Sequence, residues 1–214
     1  HKSLPEMIRL AKEANVADSV EVTTNSALLN QERGQALLEA GLDTIRISVE
    51  HTEDSVYESI SGGRSDYASI RENVANLASE KRKRGAKLYI HAKIIDAGLS
   101  EAQKSRFRGD FAPISDSLNI DALGAWSHSE MHDFSLGTGS TKGMDGVTPR
   151  QERLVCAEPF TRLAVNFDGR VSVCCSDWSL EAVVGQVADE SLVAIWNGDR
   201  LRRFRIAHLK GERQ

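Results

Sequence analysis

The first half of the chain alternates between two spacings of apolar residues. Short runs rich in valine and isoleucine predict strands at about residues 19–24, 42–49, 87–95 and 117–123. Between them, apolar residues recur every three or four positions and predict helices at about residues 3–14, 30–40, 52–84 and 100–111, the long one interrupted near Gly62 and Gly63. This α/β order predicts a parallel sheet with right-handed crossovers, either an open doubly wound sheet or a segment of a (β/α) barrel.

Local signals mark the ends of these helices. Ser3 and Ser100 stand where a side chain caps the first turn of a helix, and Gly41 stands where a left-handed residue ends one. The basic run at residues 81–84 precedes Gly85. Because cations favour the carboxyl end of a helix dipole, we interpret this run as a solvated helix end rather than a binding patch.

Several polar residues stand at the predicted carboxyl ends of the strands. In both candidate architectures these ends meet at one edge of the sheet, and the chemistry of such proteins gathers there. The polar residues at this edge are Thr24, Asn25, Ser48, Glu50, Lys93, Asp96 and Asp121.

Residues 124–150 lack an apolar period and are rich in glycine, which predicts a long loop. Trp126, His128 and His132 lie in it. The two histidines have the spacing of a helical metal pair, but the surrounding sequence is not helical and has no HExxH pattern. A linker between two domains is therefore the preferred interpretation, over a metal site or a substrate contact.

A β-hairpin is predicted at residues 163–173, where the turn dipeptide Asp168-Gly169 separates two alternating runs. Cys156 precedes its first strand, and Cys174 and Cys175 end its second. Since neighbouring strands lie ~5 Å apart, thiolates at one end of a hairpin can share a metal or a cluster. Three ordinary buried thiols are the alternative.

The rest of the chain predicts a short extended piece at residues 183–187 and a helix from Ser191 to a break at Gly198. A helical pattern with many arginines follows at residues 201–209. We expect those arginines on an exposed face.

Charge and composition limit the binding partners and the cellular compartment that we expect for this chain. The 27 basic and 31 acidic side chains give a net charge of -4, which argues against nucleic acid as the main partner. No apolar run approaches the ~20 residues of a membrane span, and the three cysteines, two of them adjacent, do not suggest a secreted disulfide framework. A cytoplasmic location is predicted. Because residue 1 is not methionine and the chain stops directly after a predicted helix, we expect a piece of a longer protein.

Several sequence segments, taken together, resemble those of a known family over nearly the whole chain. The order TTNSALL, LLEAGLDTIRISVE, YESISGGRSDYASIRENVANL and HAKIID resembles the latter part of a radical SAM enzyme barrel. Cys156, twelve residues, Gly169, four residues and Cys174 resemble the opening of a SPASM or twitch auxiliary iron–sulfur domain, and SDWSLEAVVGQVADESLVAIWNG is similar to the passage that follows there.

The resemblance implies a partial (β/α) barrel at residues 1–124, a linker at 125–153 and a truncated SPASM or twitch domain at 154–214. The family's CxxxCxxC loop and Gly-Gly-Glu motif are absent and would precede His1, and the later cysteines of the auxiliary domain would follow Gln214. This stretch alone is therefore expected to be inactive, and the implied activity belongs to the parent protein.

For the parent protein the resemblance implies an oxidoreductase or maturase with a [4Fe-4S] cluster and S-adenosyl-L-methionine (SAM). Cleavage of SAM gives a 5'-deoxyadenosyl radical that abstracts hydrogen from a peptide, a sugar or an aminocyclitol, with a reducing partner such as flavodoxin or ferredoxin and an auxiliary cluster assisting electron transfer. No catalytic residue is assigned. The implied cofactor-binding residues are Asn25, Ser48, Glu50, Arg64 and Lys93.

The implied auxiliary-cluster ligands are Cys156 and Cys174, with Cys175 as a further candidate. If the strand continues through both adjacent cysteines, their side chains point to opposite faces, which favours Cys174 over Cys175. A non-catalytic module that binds zinc or an iron–sulfur cluster is the alternative function.

Overall fold

The computed structural model describes residues 1–61, 66–122 and 155–212. These residues belong to two compact units, residues 1–122 and residues 155–212. The boundaries predicted for the linker, and with them Arg64, Trp126, His128 and His132, fall outside the described residues. Among the described helices, none has the length and apolar character needed to cross a membrane.

The first unit is a parallel four-stranded sheet with helices between its strands, and the sheet order is β1-β2-β3-β4. The four predicted strands and the α/β class are confirmed. The elements are α1 (Leu4–Glu13), β1 (Glu21–Thr24), α2 (Gln31–Glu39), β2 (Thr44–Val49), α3 (Asp54–Ser61), α4 (Tyr67–Arg84), β3 (Tyr89–Asp96), α5 (Glu101–Phe111), a 3₁₀ turn (Ala112–Ile114) and β4 (Ser117–Ala122).

One face of this sheet forms the core and the other is polar. In β2, Ile45, Ile47 and Val49 are buried, whereas the residues between them are half-buried or exposed. Because successive side chains of a strand alternate between faces, the apolar set packs on one side, where the core also includes Ile70 and Val74 of α4. The polar side chains of β2, β3 and β4 share the other face, which we call the polar face.

These predicted helix ends are confirmed, but one predicted side-chain cap is wrong. The Ser100 side chain accepts from the backbone N–H of Gln103 in a complete capping box, and Gly41 is left-handed with φ 79°. The Ser3 side chain makes no capping bond, because the backbone of Ser3 is not extended and its N–H donates to His1 Nδ1. In the basic run, Lys81 is half-buried and pairs with Asp116 at 2.6 Å, so that part of the run is not simply solvated.

The second unit is an antiparallel sheet of three short strands, ordered β5-β6-β7, with helices packed against it. Val171, Val184, Ile195 and Leu201 form its core. The predicted hairpin and the extended piece after it are confirmed. The elements are α6 (Glu158–Thr161), β5 (Ala164–Val165), β6 (Arg170–Ser172), β7 (Val183–Gln186), α7 (Leu192–Asn197) and α8 (Asp199–Leu209).

The prediction for the arginines of α8 is confirmed for Arg202 and Arg203, which are exposed, and is wrong for Arg205. The Arg205 guanidinium lies over the Trp196 ring, 4.1 Å from its centroid. Its Nε donates to the carbonyl of Pro159 at 2.8 Å, and one Nη donates to the carbonyl of Trp196 at 3.1 Å. A planar guanidinium can stack and donate at once, which explains why a charged residue packs at this position.

Candidate functional site

The polar face of the parallel sheet carries rows of side chains that the strand register aligns. In one row, Ser48 of β2 lies beside Lys93 of β3, and Lys93 lies beside Asn119 of β4. Nearer the amino ends of the strands, a second row contains Arg46 and His91. The structure therefore brings the predicted residues Ser48 and Lys93 together on adjacent strands.

In the row nearest the amino ends of the strands, both side chains are already paired with residues of neighbouring strands. Arg46 Nε lies 2.7 Å from Glu21 Oε1, and His91 Nδ1 lies 2.7 Å from Ser117 Oγ. Burial lowers the pKa of His91, and the positive charge of Arg46 lowers it further. Its imidazole is therefore held neutral beside the serine hydroxyl.

Above that row lies a buried carboxylate that sequence inspection did not place among the binding residues. Asp121 is 5% exposed, and Lys93 Nζ lies 3.7 Å from its Oδ2. Asn119 Nδ2 donates to its Oδ1 at 2.5 Å. A buried carboxyl group needs polar partners, and Lys93 and Asn119 supply them to Asp121.

Glu50 follows β2 directly and is half-buried. Burial raises its pKa, and the positive charge of Lys93 opposes that shift. Burial and the charge of Glu50 raise the pKa of Tyr57 to about 12. The edge above β2 therefore combines a carboxyl group that is costly to ionise with a phenol that stays protonated.

The carboxyl end of β1 places the predicted residue Asn25 at the surface. Its Oδ1 accepts from the backbone N–H of Ala27 at 3.2 Å, which is a local turn contact. The next residue, Ser26, is fully buried with a left-handed φ of 60°, and its hydroxyl has no hydrogen-bond partner among the described residues. Sequence reasoning missed Ser26, for which the only signal was its place directly after a β-branched strand.

Thr52, just beyond β2, is a second buried hydroxyl without a partner in the part of the chain that the structure describes. Asp96, by contrast, is engaged within the fold. It accepts from the backbone N–H of Leu99 at 3.0 Å and pairs with Lys104 at 2.8 Å. Asp96 therefore anchors the start of α5 rather than facing a ligand.

In the second unit, the Asp168-Gly169 turn closes the hairpin as the sequence predicts. Gly169 is left-handed with φ 84°, and a Cβ added there would collide with Gln186 Oε1. Asp168 Oδ1 accepts from the backbone N–H of Arg170 at 3.1 Å. The turn therefore requires glycine both for its backbone angle and for the close approach of β7.

The adjacent cysteines lie beyond the end of β6, in a turn. The Cys174 and Cys175 sulfurs and a carboxylate oxygen of Glu158 all lie within 4.8 Å of one another. The backbone N–H of Ser176 also donates to Cys174 Sγ at 3.3 Å. Because the strand ends at Ser172, strand alternation does not separate the two thiols, and the premise for favouring Cys174 over Cys175 is wrong.

Cys156, two residues before Glu158, has an exposed side chain. Among the described residues it does not join Glu158, Cys174 and Cys175 in that compact group. Its backbone N–H donates to Nε2 of His208 at 2.7 Å. The structure therefore brings two of the three predicted ligands together, and the ligand role of Cys156 stays a prediction.

The donor set fits an iron–sulfur cluster in its chemistry. All three cysteines are free thiols, and two are close enough to bind one metal centre. Thiolates are the usual ligands of such clusters, whereas zinc also accepts a carboxylate beside cysteines. Sequence reasoning missed Glu158 and His208, since neither stands in a spacing that identifies a ligand.

The second unit is similar to a known kind of domain. Residues 156–214 match SPASM, described as an iron–sulfur cluster-binding domain. The chain is also 40% identical over 60 residues to GTP 3',8-cyclase of Chlorobaculum tepidum, a stretch that covers 28% of this chain and 18% of that protein.

Solved structures extend the likeness to nearly the whole chain. BtrN in complex with AdoMet and 2-DOIA has a TM-score of 0.52 at 16% identity, covering 99% of this chain and 62% of its own. Streptococcus suis SuiB bound to the precursor peptide SuiA has a TM-score of 0.65 at 11% identity, covering 92% and 51%. The protein anSMEcpe with bound AdoMet has a TM-score of 0.56 at 11% identity, covering 97% and 62%.

The chain spans less than two thirds of the length of each of these proteins. At such identities the structural likeness establishes the fold, and the family match is confined to residues 156–214. The predicted resemblance to a SPASM iron–sulfur cluster-binding domain is thereby confirmed for residues 156–214, and nearly the whole chain shares the fold of BtrN, SuiB and anSMEcpe.

Proposed function

We propose that this chain works within a radical SAM oxidoreductase or maturase. The observation that carries the proposal is the pair of thiols at the end of the hairpin, Cys174 and Cys175, within a stretch that matches an iron–sulfur cluster-binding domain. The polar face of a parallel sheet supports it, because that face offers a place for a second, polar cofactor. SAM, when bound with a reducing [4Fe-4S] cluster, supplies a 5'-deoxyadenosyl radical.

At the polar face, each side chain has a role that its charge allows. Lys93 supplies a cation suited to a carboxylate, and Ser48 beside it supplies a hydroxyl. Glu50 accepts hydrogen bonds from amino or hydroxyl groups when ionised. Asn25 and Arg64 complete the proposed SAM-binding set. Asp121 orients Lys93 through their ion pair.

In the second unit, Cys156, Cys174 and Cys175 are the proposed thiolate ligands of an auxiliary cluster. Glu158, whose carboxylate shares the group with the two adjacent thiols, contributes negative charge at that place. The proposed substrate is a peptide or a sugar or aminocyclitol. SuiB, which shares this fold, is seen with a precursor peptide, and this supports the peptide alternative. The proposed electron donor is a flavodoxin or ferredoxin.

Metal analysis of the full-length protein, purified without oxygen, tests the cluster. We expect a brown protein with iron and sulfide, and we expect Cys156→Ala and Cys174→Ala each to lower iron by about one cluster. Ser179→Ala, an exposed change in the same turn region, serves as the control and should leave iron unchanged. A colourless protein that contains zinc would instead support a non-catalytic metal-binding module.

Equilibrium binding of SAM to the cluster-loaded protein tests the polar face. Lys93→Met should weaken binding about tenfold, since it removes a charge-assisted hydrogen bond. The matched control is Lys87→Met, an exposed lysine that precedes β3. Equal affinities for the two variants would remove Lys93 from the proposed site. Formation of 5'-deoxyadenosine with added reductant then reports whether bound SAM is cleaved.

A further inference from the structure

Cys156 is tied by its main chain to a residue 52 positions later. Its backbone N–H donates to His208 Nε2 at 2.7 Å, although the cysteine side chain itself is exposed. A neutral imidazole has one donor and one acceptor nitrogen, so this contact requires the His208 proton to be on Nδ1. The hydrogen bond fixes where the backbone of Cys156 lies and leaves its thiol accessible.

His208 is itself held in place by aromatic contacts. Its ring stacks on Phe204 with centroids 6.1 Å apart and planes 16° apart, and it lies 6.4 Å from the Phe160 ring. One turn earlier on α8, Arg205 Nε donates to the carbonyl of Pro159. Helix α8 therefore holds the segment that begins at Cys156 at two points, through His208 and through Arg205.

We propose that His208 is a positioning residue for Cys156, setting the main chain so that its thiolate is presented to the auxiliary cluster. This inference rests on the proposed function. Partners that orient a ligand typically change metal affinity 10-fold to 100-fold (roughly) when they are lost. His208 also occupies the N–H of Cys156, which keeps that donor from bonding to sulfur, and hydrogen bonds to sulfur influence the electronic state of a cluster.

Two substitutions separate the hydrogen bond from the aromatic packing. His208→Phe keeps the ring that stacks on Phe204 and removes the acceptor. His208→Gln removes the ring but places an amide oxygen about where Nε2 lies, since both atoms stand the same number of bonds from Cβ. Arg203→Gln, an exposed change on the same helix, is the matched control.

The experiment measures iron release to a chelator and the electron paramagnetic resonance spectrum of the reduced auxiliary cluster, using the full-length protein without oxygen. We expect His208→Phe to release that cluster about tenfold faster than wild type and to show an altered spectrum. His208→Gln should remain close to wild type in both, and so should Arg203→Gln. A role confined to packing predicts the opposite order, with His208→Gln the more damaged variant.

Cys156→Ala distinguishes failure of this inference from failure of the proposed function. If Cys156→Ala loses a cluster while His208→Phe behaves as wild type, or while His208→Gln is as labile as His208→Phe, the positioning role is refuted and the cluster site stands. If Cys156→Ala keeps all its iron, the proposed ligand is wrong, and the role of His208 is refuted with it.

Discussion

Replacing Arg205 by methionine tests how the second unit is held together. Arg205 makes three contacts with two other helices: it stacks on Trp196 of α7, donates to the carbonyl of Trp196 and donates to the carbonyl of Pro159 in α6. Methionine keeps most of the length of the side chain and removes every one of these polar contacts. The contacts of this side chain with α6 and α7 would then be apolar only.

The magnitude follows from those contacts. Each of the two hydrogen bonds contributes about 1 kcal/mol, and the stacked cation contributes about 1 kcal/mol more. Against this, Arg205 Nη2 is buried without an acceptor in the described residues, which costs about 1 kcal/mol. The net loss is about 2 kcal/mol, which corresponds to roughly a 30-fold larger population of locally open chain.

Amide hydrogen exchange measures that population without requiring the whole protein to unfold in one step. Amides of α7 and α8 should exchange roughly 30-fold faster in Arg205→Met. Arg202→Met, an exposed change on the same helix, should alter exchange less than about threefold. Equal exchange in the two variants would refute the assignment of Arg205 as a structural contact.

Three further outcomes are expected, each read by the midpoint of thermal unfolding or by local amide exchange. Burial raises the Glu50 pKa above its ordinary value of 4.5, so its protonated form is favoured on folding and that stability is lost as pH rises through the folded pKa. Glu50→Gln should therefore become more stable relative to wild type from pH 4 to pH 7 (approximately), and a constant difference would refute this. Gly169→Ala should destabilise the hairpin by about 1–2 kcal/mol from its left-handed backbone alone. The loss should exceed that of Gly98→Ala, which is also left-handed with φ 87°, because a Cβ added at Gly169 collides with Gln186 whereas one added at Gly98 meets no atom within 4 Å. Ser100→Ala should cost about 1 kcal/mol whereas Ser3→Ala should cost less than about 0.5, and equal losses would contradict the capping geometry.

The features that sequence predicted well depend on near neighbours in the chain. The alternation around Ile45 and Ile47 identified a strand, and Asp168-Gly169 identified a hairpin, because the responsible contacts lie within a few residues. Ser100 worked as a cap for the same reason. Ser3 failed because a cap also needs an extended backbone, and the chain at Ser3 does not supply one.

The missing parts of the candidate site depend on distant contacts. His208 reaches Cys156 across 52 residues, and Arg205 reaches Pro159 across 46. No spacing rule joins residues so far apart, so α8 could be predicted only as a helix with an exposed basic face. The prediction that Cys174 and Cys175 point to opposite faces failed for another reason, because it assumed a strand longer than the one that forms.

Arg46 and His91, at the amino ends of the strands, limit how deep a ligand can reach into the polar face. Arg46 is already paired with Glu21 and His91 is hydrogen-bonded to Ser117, so the two residues offer little binding energy to a ligand. Two residues further along each strand, about 7 Å away, Ser48 and Lys93 lie nearer the open edge. Substitutions of Arg46 or His91 should therefore change the stability of the sheet. Substitutions of Ser48 or Lys93 can change which ligand binds without disturbing the contacts of Arg46 and His91.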